Sequence, residues 1–366
     1  MKEGDLLTDA HEALRRKMSM WPIRTPKSPE VMEILKMLYT SEEAEFLANT
    51  FSLPYQDVKT SAQIAEETGK SKEEVEEILD NLAERGLVFR FKHWKTGDIC
   101  YSLLPIVPGL FEFYFSGSAD SEKRKKIASL FEKTYKDGLA MEAGASNYPW
   151  GRVIPVEKAL EVTQEILPFE KVSEFIKTSH TIAVIPCACR TKHPCEHPVE
   201  ACMVFDSSAD FMVDRGIGQY LTSEEALDLL EKMEKEGLVH TTVNSQRRPQ
   251  FICNCCTCSC LILRGLTEMH NPRAFAKSNF VPQKNDDACI LCRTCIEVCP
   301  FGCYYYHWPH DDEPEKVGFI EERCVGCGLC SYHCPVNAIT LVKVRHEVPE
   351  ERPREAMMRV EKERIH

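Results

Sequence analysis

Two stretches of this chain repeat one cysteine spacing at an interval of 35 residues: Cys289, Cys292, Cys295 and Cys299 before Pro300, then Cys324, Cys327, Cys330 and Cys334 before Pro335. Each copy reads C-x-x-C-x-x-C-x-x-x-C-P, and few folds can use eight thiols at such intervals. Two residues between thiolates wrap three of them round one small inorganic cube, while the fourth reaches across to the other copy. The spacing therefore predicts two 4Fe–4S clusters with interleaved ligands. Cys289, Cys292, Cys295 and Cys334 would hold one; Cys324, Cys327, Cys330 and Cys299 would hold the other. Proline after each fourth cysteine turns the chain away and offers no N–H. Two zinc sites are the competing reading, but a four-cysteine zinc site needs no interleaving.

The paired motifs resemble the bacterial-type two-cluster ferredoxin family, which implies a low-potential, one-electron carrier. The second copy, Cys324–Val325–Gly326–Cys327–Gly328, follows that family closely, whereas the first has Leu291 and Arg293 where small residues usually sit. Arg293 would either raise the potential of the neighbouring cluster or stand solvated with little effect. An insertion between Cys299 and Cys324, including His307–Pro314, changes the loop and leaves the ligands. Cys303 aligns with Ala338 and is expected to fill a small buried position.

Seventeen of the nineteen cysteines lie between Cys187 and Cys330. Disulfides explain such numbers in small secreted domains, yet this chain has 366 residues, and its charged start, Met1 to Ala10, lacks the apolar core of a secretion signal. Clustered thiols in a reducing compartment mean metal, and a cytoplasmic protein is expected. The strongest apolar run, Thr181 to Ile185, is strand-sized, so no membrane span is expected. A net charge of −12 argues against nucleic acid as the main partner.

Nine cysteines cluster in the middle of the chain: Cys187, Cys189, Cys195, Cys202, Cys253, Cys255, Cys256, Cys258 and Cys260. Two C-x-C groups at strand ends, far apart in sequence, suggest strands converging on shared metal: one or more further iron–sulfur clusters, with zinc as the alternative. Cys189, Cys195, Cys202 and Cys255 are the favoured ligands, with Cys187, Cys253 and Cys256 in reserve. Packing explains His193, His197 and His240 better than ligation does, and Arg190 would face either cluster sulfur or a carboxylate. The arrangement C-x-C-R…C…C then C-N-C-C-x-C, with Arg152–Pro155 and Gly237–His240, resembles a poorly described group of ferredoxin-domain proteins from strict anaerobes. That resemblance implies iron–sulfur chemistry and names no substrate; Ser259 departs from the group's more cysteine-rich run.

Residues 29–115 read as three helices and a two-stranded ribbon: Pro29–Tyr39; a capping-box start at Thr60 and Gln63 ending at Gly69; a start at Ser71 and Glu74 ending at Gly86; then strands Leu87–Phe91 and Ile99–Leu103. This resembles a winged helix-turn-helix. Its recognition-helix position carries Glu73, Glu74, Glu76 and Glu77, which would face phosphates, so DNA is disfavoured against a protein docking role. The expected class is α+β: a winged-helix-like domain (1–115), a helical connector without visible chemistry (116–180, with helices at Val156–Leu167 and Phe169–Lys177), a Cys-rich α+β domain (181–266), a two-cluster ferredoxin fold (267–345) and a charged tail (346–366), exposed or disordered. Three functions stay open: an electron-transfer protein or redox subunit with redox protein partners, an iron–sulfur transcriptional sensor, or a reductase with a catalytic middle cluster.

Overall fold

The computed structural model describes residues 9–117, 121–161, 163–310 and 314–365. The first eight residues, which belong to the stretch Met1 to Ala10 read for a secretion signal, lie outside it. The described residues mix helix and sheet, with four sheets among them. Among the described residues no helix is long and apolar enough to cross a membrane.

In the N-terminal part the helices begin where side chains can satisfy free N–H groups. Thr60 and Gln63 form a reciprocal cap for Ser61–Thr68, which stops at Gly69 in the left-handed conformation (φ 73°). Ser71 caps Lys72–Glu84, while the Glu74 carboxylate turns outward to Lys70. Val75, Leu79 and Leu82 face the core at helical spacing. Two further helices, Ala10–Met18 and Ser41–Thr50, complete the bundle. The ribbon Val88–Lys92 and Ile99–Leu103 gains a third strand, Lys59–Thr60.

The largest sheet is antiparallel and six-stranded, in the order Gly151–Ile154, Val239–Val243, Phe251–Cys255, Glu200–Phe205, Ile182–Pro186 and Gln219–Tyr220. The helix Ser223–Lys235 is capped by Thr222, because Thr222 and Glu225 cap each other reciprocally. It buries Ala226, Leu230 and Met233 on one side of the sheet.

Two expectations need correction. Among the described residues Val156–Leu167 is not one helix: a single turn at Glu157–Ala159 ends at Leu160, which bridges to Leu341, and the Gln164 side chain donates to the Leu341 carbonyl. Backbone partners offered by the last strand outweigh the local helical spacing. The charged tail is not exposed throughout. Pro353–Lys362 is a helix whose Ala356, Met357 and Val360 are buried, and its end is held by Arg24–Glu361 and by Arg364 donating to the Pro22 carbonyl. Charged residues on three sides of a helix hide an apolar stripe on the fourth.

Candidate iron–sulfur sites

The two cysteine repeats occupy a compact unit. Strand Phe280–Lys284 pairs antiparallel with Ile339–Lys343, and the insertion between Cys299 and Cys324 forms a hairpin, Tyr304–His307 with Lys316–Phe319. Residues 311–313 of that insertion lie outside the described residues. Five of the eight thiols have a hydrogen-bond partner: Cys324 accepts from Gly326 N (3.3 Å), Cys299 from Cys303 N (3.4 Å), Cys334 from Ala338 N (3.2 Å) and Cys330 from the Tyr304 hydroxyl (3.4 Å), and Cys292 meets the Thr294 hydroxyl (3.4 Å). Such donors stabilise thiolate over thiol, the form a metal needs. Cys303 is buried, with its thiol against Cys299 and Cys324.

The repeats are alike in backbone and unlike in surroundings. Leu291 (φ 57°) and Arg293 (φ 67°) adopt the same left-handed conformation as their counterparts Gly326 (φ 73°) and Gly328 (φ 84°). A Cβ at Gly326 would collide with the Phe280 carbonyl and Ser278, and one at Gly328 would press on Leu341 and Ala159. The first copy faces solvent, so side chains fit there at only the intrinsic cost of the left-handed region, about 1–2 kcal/mol each. Arg293 lies over the Tyr306 ring at 3.7 Å. Gly326→Ala should therefore destabilise the protein by more than about 2 kcal/mol while Leu291→Gly is neutral or stabilising. Thermal unfolding of the two variants checks this; equal effects would contradict it.

Burial follows the same asymmetry. Cys324, Cys327 and Cys330 are all buried, whereas Cys292 is exposed and Cys289 half-buried. The buried copy is sewn to preceding segments by Val156 N donating to the Cys327 carbonyl (2.9 Å) and Ser278 N donating to the Val325 carbonyl (2.9 Å). Beside the open copy stand the exposed side chains of Ile290 and Trp308.

Residues 288–338, which include all eight cysteines, match the 4Fe-4S dicluster domain family. Through this segment the chain belongs to the ferredoxin-like dicluster family. The dicluster domain is similar to the archaeal-type glutamate synthase (NADPH) of Dehalococcoides mccartyi, 33% identical over 69 residues, or 19% of this chain and 13% of that protein. It is also similar to pyruvate synthase subunit PorD of Methanocaldococcus jannaschii, 37% identical over 68 residues, or 19% of this chain and 71% of that subunit. Against the glutamate synthase of Thermotoga maritima the identity is 38% over 64 residues, 12% of that protein. The chain thus spans about an eighth of these synthases, all within the dicluster domain. No solved structure matches the chain. The chain therefore carries an iron–sulfur electron-transfer domain, and the relatives' names describe redox enzymes or their subunits.

Outside the dicluster domain, the nine remaining clustered cysteines separate into two groups. Strand Phe251–Cys255 points Cys253 and Cys255 to one face, because alternate residues share a face. Cys202 lies on the adjoining strand, one position from the Met203–Ile252 pair, which sets it beside Cys253. Cys187 ends the strand Ile182–Pro186, Cys189 lies one residue into the following helix, and Cys260 caps the helix Leu261–Thr267. The thiols interact in a closed ring: 187 with 202, 202 with 253, 253 with 255, 255 with 260, 260 with 189, and 189 with 187. Hydrogen bonds from Cys189 and Cys202 hold the Cys187 thiol well below its ordinary value, and one from Cys253 brings Cys255 down to about 7. Donation to these neighbours pushes Cys189, Cys202 and Cys253 up. Six thiolates cannot crowd together without a compensating cation, and a soft metal centre supplies one. Cys195, by contrast, lies with Cys256 and Cys258. The expected quartet of Cys189, Cys195, Cys202 and Cys255 is therefore not brought together. Strand register, invisible in the spacing, assigns Cys195 elsewhere.

Arg190 is 1% exposed and faces no carboxylate; its guanidinium donates to the carbonyls of Pro198 (2.8 Å) and Asn254 (2.6 Å) and lies against Cys256. Its charge is set among thiols, nearest Cys187, Cys256 and Cys202. His240 is buried between Asn254 (2.6 Å) and Glu234 (3.3 Å), a packing role.

The connector, expected to hold no chemistry, supplies a clamp. Glu132 pairs with Lys192 and with Arg264 (2.7 Å), tying the helix after Cys189 to the helix after Cys260. Arg264 holds its carboxyl well below the usual carboxylate range. Beside the ring lies a cavity of ≈ 110 Å³ lined by Tyr55, Glu112, Phe113, Trp150, Phe251 and Phe275. Burial pushes the Glu112 carboxyl up to about 7, with Gly109 N donating to it at 2.6 Å. Neither Glu112 nor Glu132 carries a sequence signature; each gains its role from partners distant in the chain.

Proposed function

We propose that the protein is an electron-transfer protein or redox subunit of cytoplasmic anaerobic metabolism. Its dicluster domain would hold two 4Fe–4S clusters, on Cys289, Cys292, Cys295 and Cys334 and on Cys324, Cys327, Cys330 and Cys299. Such clusters supply low-potential, one-electron transfer, at about −400 mV or thereabouts for ferredoxins. The burial asymmetry of the two repeats carries the reading. The side at Cys292 is open to a redox protein partner, with Ile290 and Trp308 as apolar contacts and Arg293 beside the Trp308 ring. The side at Cys327 is closed to solvent and bonded to Val156, which leads into the six-stranded sheet carrying the thiol ring. Residues 181–266 would hold the further iron–sulfur centre on that ring.

The test is reduction of the full chain by a reduced two-cluster ferredoxin, followed in stopped flow. Trp308→Glu should slow the bimolecular rate about tenfold at unchanged iron and sulfide content; an unchanged rate would reject entry at this face.

A second reading, a reductase acting at the ring, is favoured by the enclosed apolar cavity with Glu112 at its wall. For the N-terminal part the proposal is a winged-helix-like protein-docking module. Glu73 and Glu77 are exposed, Lys72 is paired with Glu76, and the ribbon's Arg90 is held by Asp80 at 3.0 Å. The transcriptional-sensor reading would need a sub-micromolar, steeply salt-dependent complex with its own promoter duplex at physiological salt. The expected result is no such complex.

A further inference from the structure

We propose that Cys195, Cys256 and Cys258 bind a single zinc ion, separate from any iron–sulfur centre on the six-thiol ring. Their three Sγ atoms all lie within 4.8 Å of one another, and Cys195 and Cys256 are 3.8 Å apart. A tetrahedral ion with metal–sulfur bonds of about 2.3 Å separates its thiolates by about 3.8 Å, the edge of that tetrahedron. An iron–sulfur cube spreads its thiolates wider, since each binds a different corner. Among the described residues no other three ligand atoms of Cys, His, Asp or Glu converge this closely. The ring thiols meet only in pairs round an open centre, which suits a polynuclear cluster, whereas the triad meets at a point, which suits one ion.

The triad is also built for charge. Three thiolates on a divalent ion leave one net negative charge, and the buried Arg190 guanidinium against Cys256 offsets it. The elements that hold the site are rigid: Cys256 directly follows strand Phe251–Cys255, and Ser259 donates to the His193 carbonyl (2.7 Å), pinning the loop after Cys258 to the segment before Cys195. The same hydroxyl lies 3.8 Å from Cys258 Sγ, at the edge of the triad. Cys258 is exposed, so the fourth position opens to solvent and takes water or an external thiolate. Three protein ligands and one open position is the pattern of a zinc that binds an exogenous ligand.

The test uses the full chain, expressed with both iron and zinc available and purified anaerobically. The expected result is about one zinc per chain in the parent protein. Cys258→Ser, a change at an exposed position, should remove most of that zinc with iron and sulfide unchanged. Cobalt substituted for zinc should give the intense visible bands of tetrahedral thiolate coordination in the parent and lose them in the variant. Zinc absent from the parent, zinc retained in both Cys258→Ser and Cys195→Ser, or loss of iron and sulfide from Cys258→Ser would each overturn the proposal. A failure of the electron-transfer reading would show instead as missing iron in the parent, with the zinc result unaffected.

Discussion

Cys327→Ser is expected to cost the protein about four iron atoms and much of its stability, whereas Cys292→Ser costs a similar amount of iron and far less stability. Both residues would anchor one cluster, and a metal's binding energy is folding energy wherever the unfolded chain has no site for it. The difference lies in what surrounds them. Cys327 is buried, and its carbonyl receives Val156 N. Losing the cluster there leaves a cavity beneath the strand pair Phe280–Lys284 and Ile339–Lys343, with nearby buried thiols unpaired. Cys292 faces solvent, so water fills its place. Iron, sulfide and the reduced EPR spectrum, read with thermal unfolding under strict anaerobiosis, check the pair. Unchanged iron, sulfide and EPR in both would reject the ligand assignment.

Glu132→Ala should destabilise the chain by about 3 kcal/mol and lower the metal content of residues 181–266. Removing one member of a buried ion pair strands its partners, at about 3–5 kcal/mol. Here the Lys192 side chain, 2% exposed, is stranded, while Arg264, 4% exposed, loses one partner and keeps Glu268 at 2.9 Å. Glu132 itself keeps 24% of its side chain in water, which places the cost at the low end. Because its carboxyl titrates well below the usual range, the contribution is present in full at neutral pH and is lost only as pH falls through that lowered value. The metal effect follows from position: the clamp joins the segments that carry Cys189 and Cys260, which are neighbours in the ring. Urea unfolding with metal analysis would show both losses. Normal metal content at lowered stability would confine Glu132 to packing.

Local chemistry made much of this legible. The 35-residue repeat, the caps at Thr60 and Ser71 and the strand leading to Cys187 are short-range patterns, and each stands where its spacing indicates. What escaped depends on distant partners. Cys195 and Cys189 are six residues apart and belong to different thiol groups, because the choice is made by strands forty or more residues on. Val156–Leu167 has helical spacing yet runs as a strap along Leu341. Glu132 looked like one of many surface carboxylates until Lys192 and Arg264 met it.

The C-terminal helix sets an order for synthesis. Pro353–Lys362 seats Met357 near Trp21 and lays Arg359 over the Tyr148 ring, and Arg364 reaches Pro22 and Glu142. Trp21 and Pro22 thus wait for a segment made much later. Until Pro353–Lys362 has been made, that seat is bare apolar surface, and the cysteines of residues 187–334, which precede the helix in the chain, leave the ribosome before it. Cofactor insertion therefore has a natural window during translation, and a chain cut short before Pro353 would be left with an open seam for proteases.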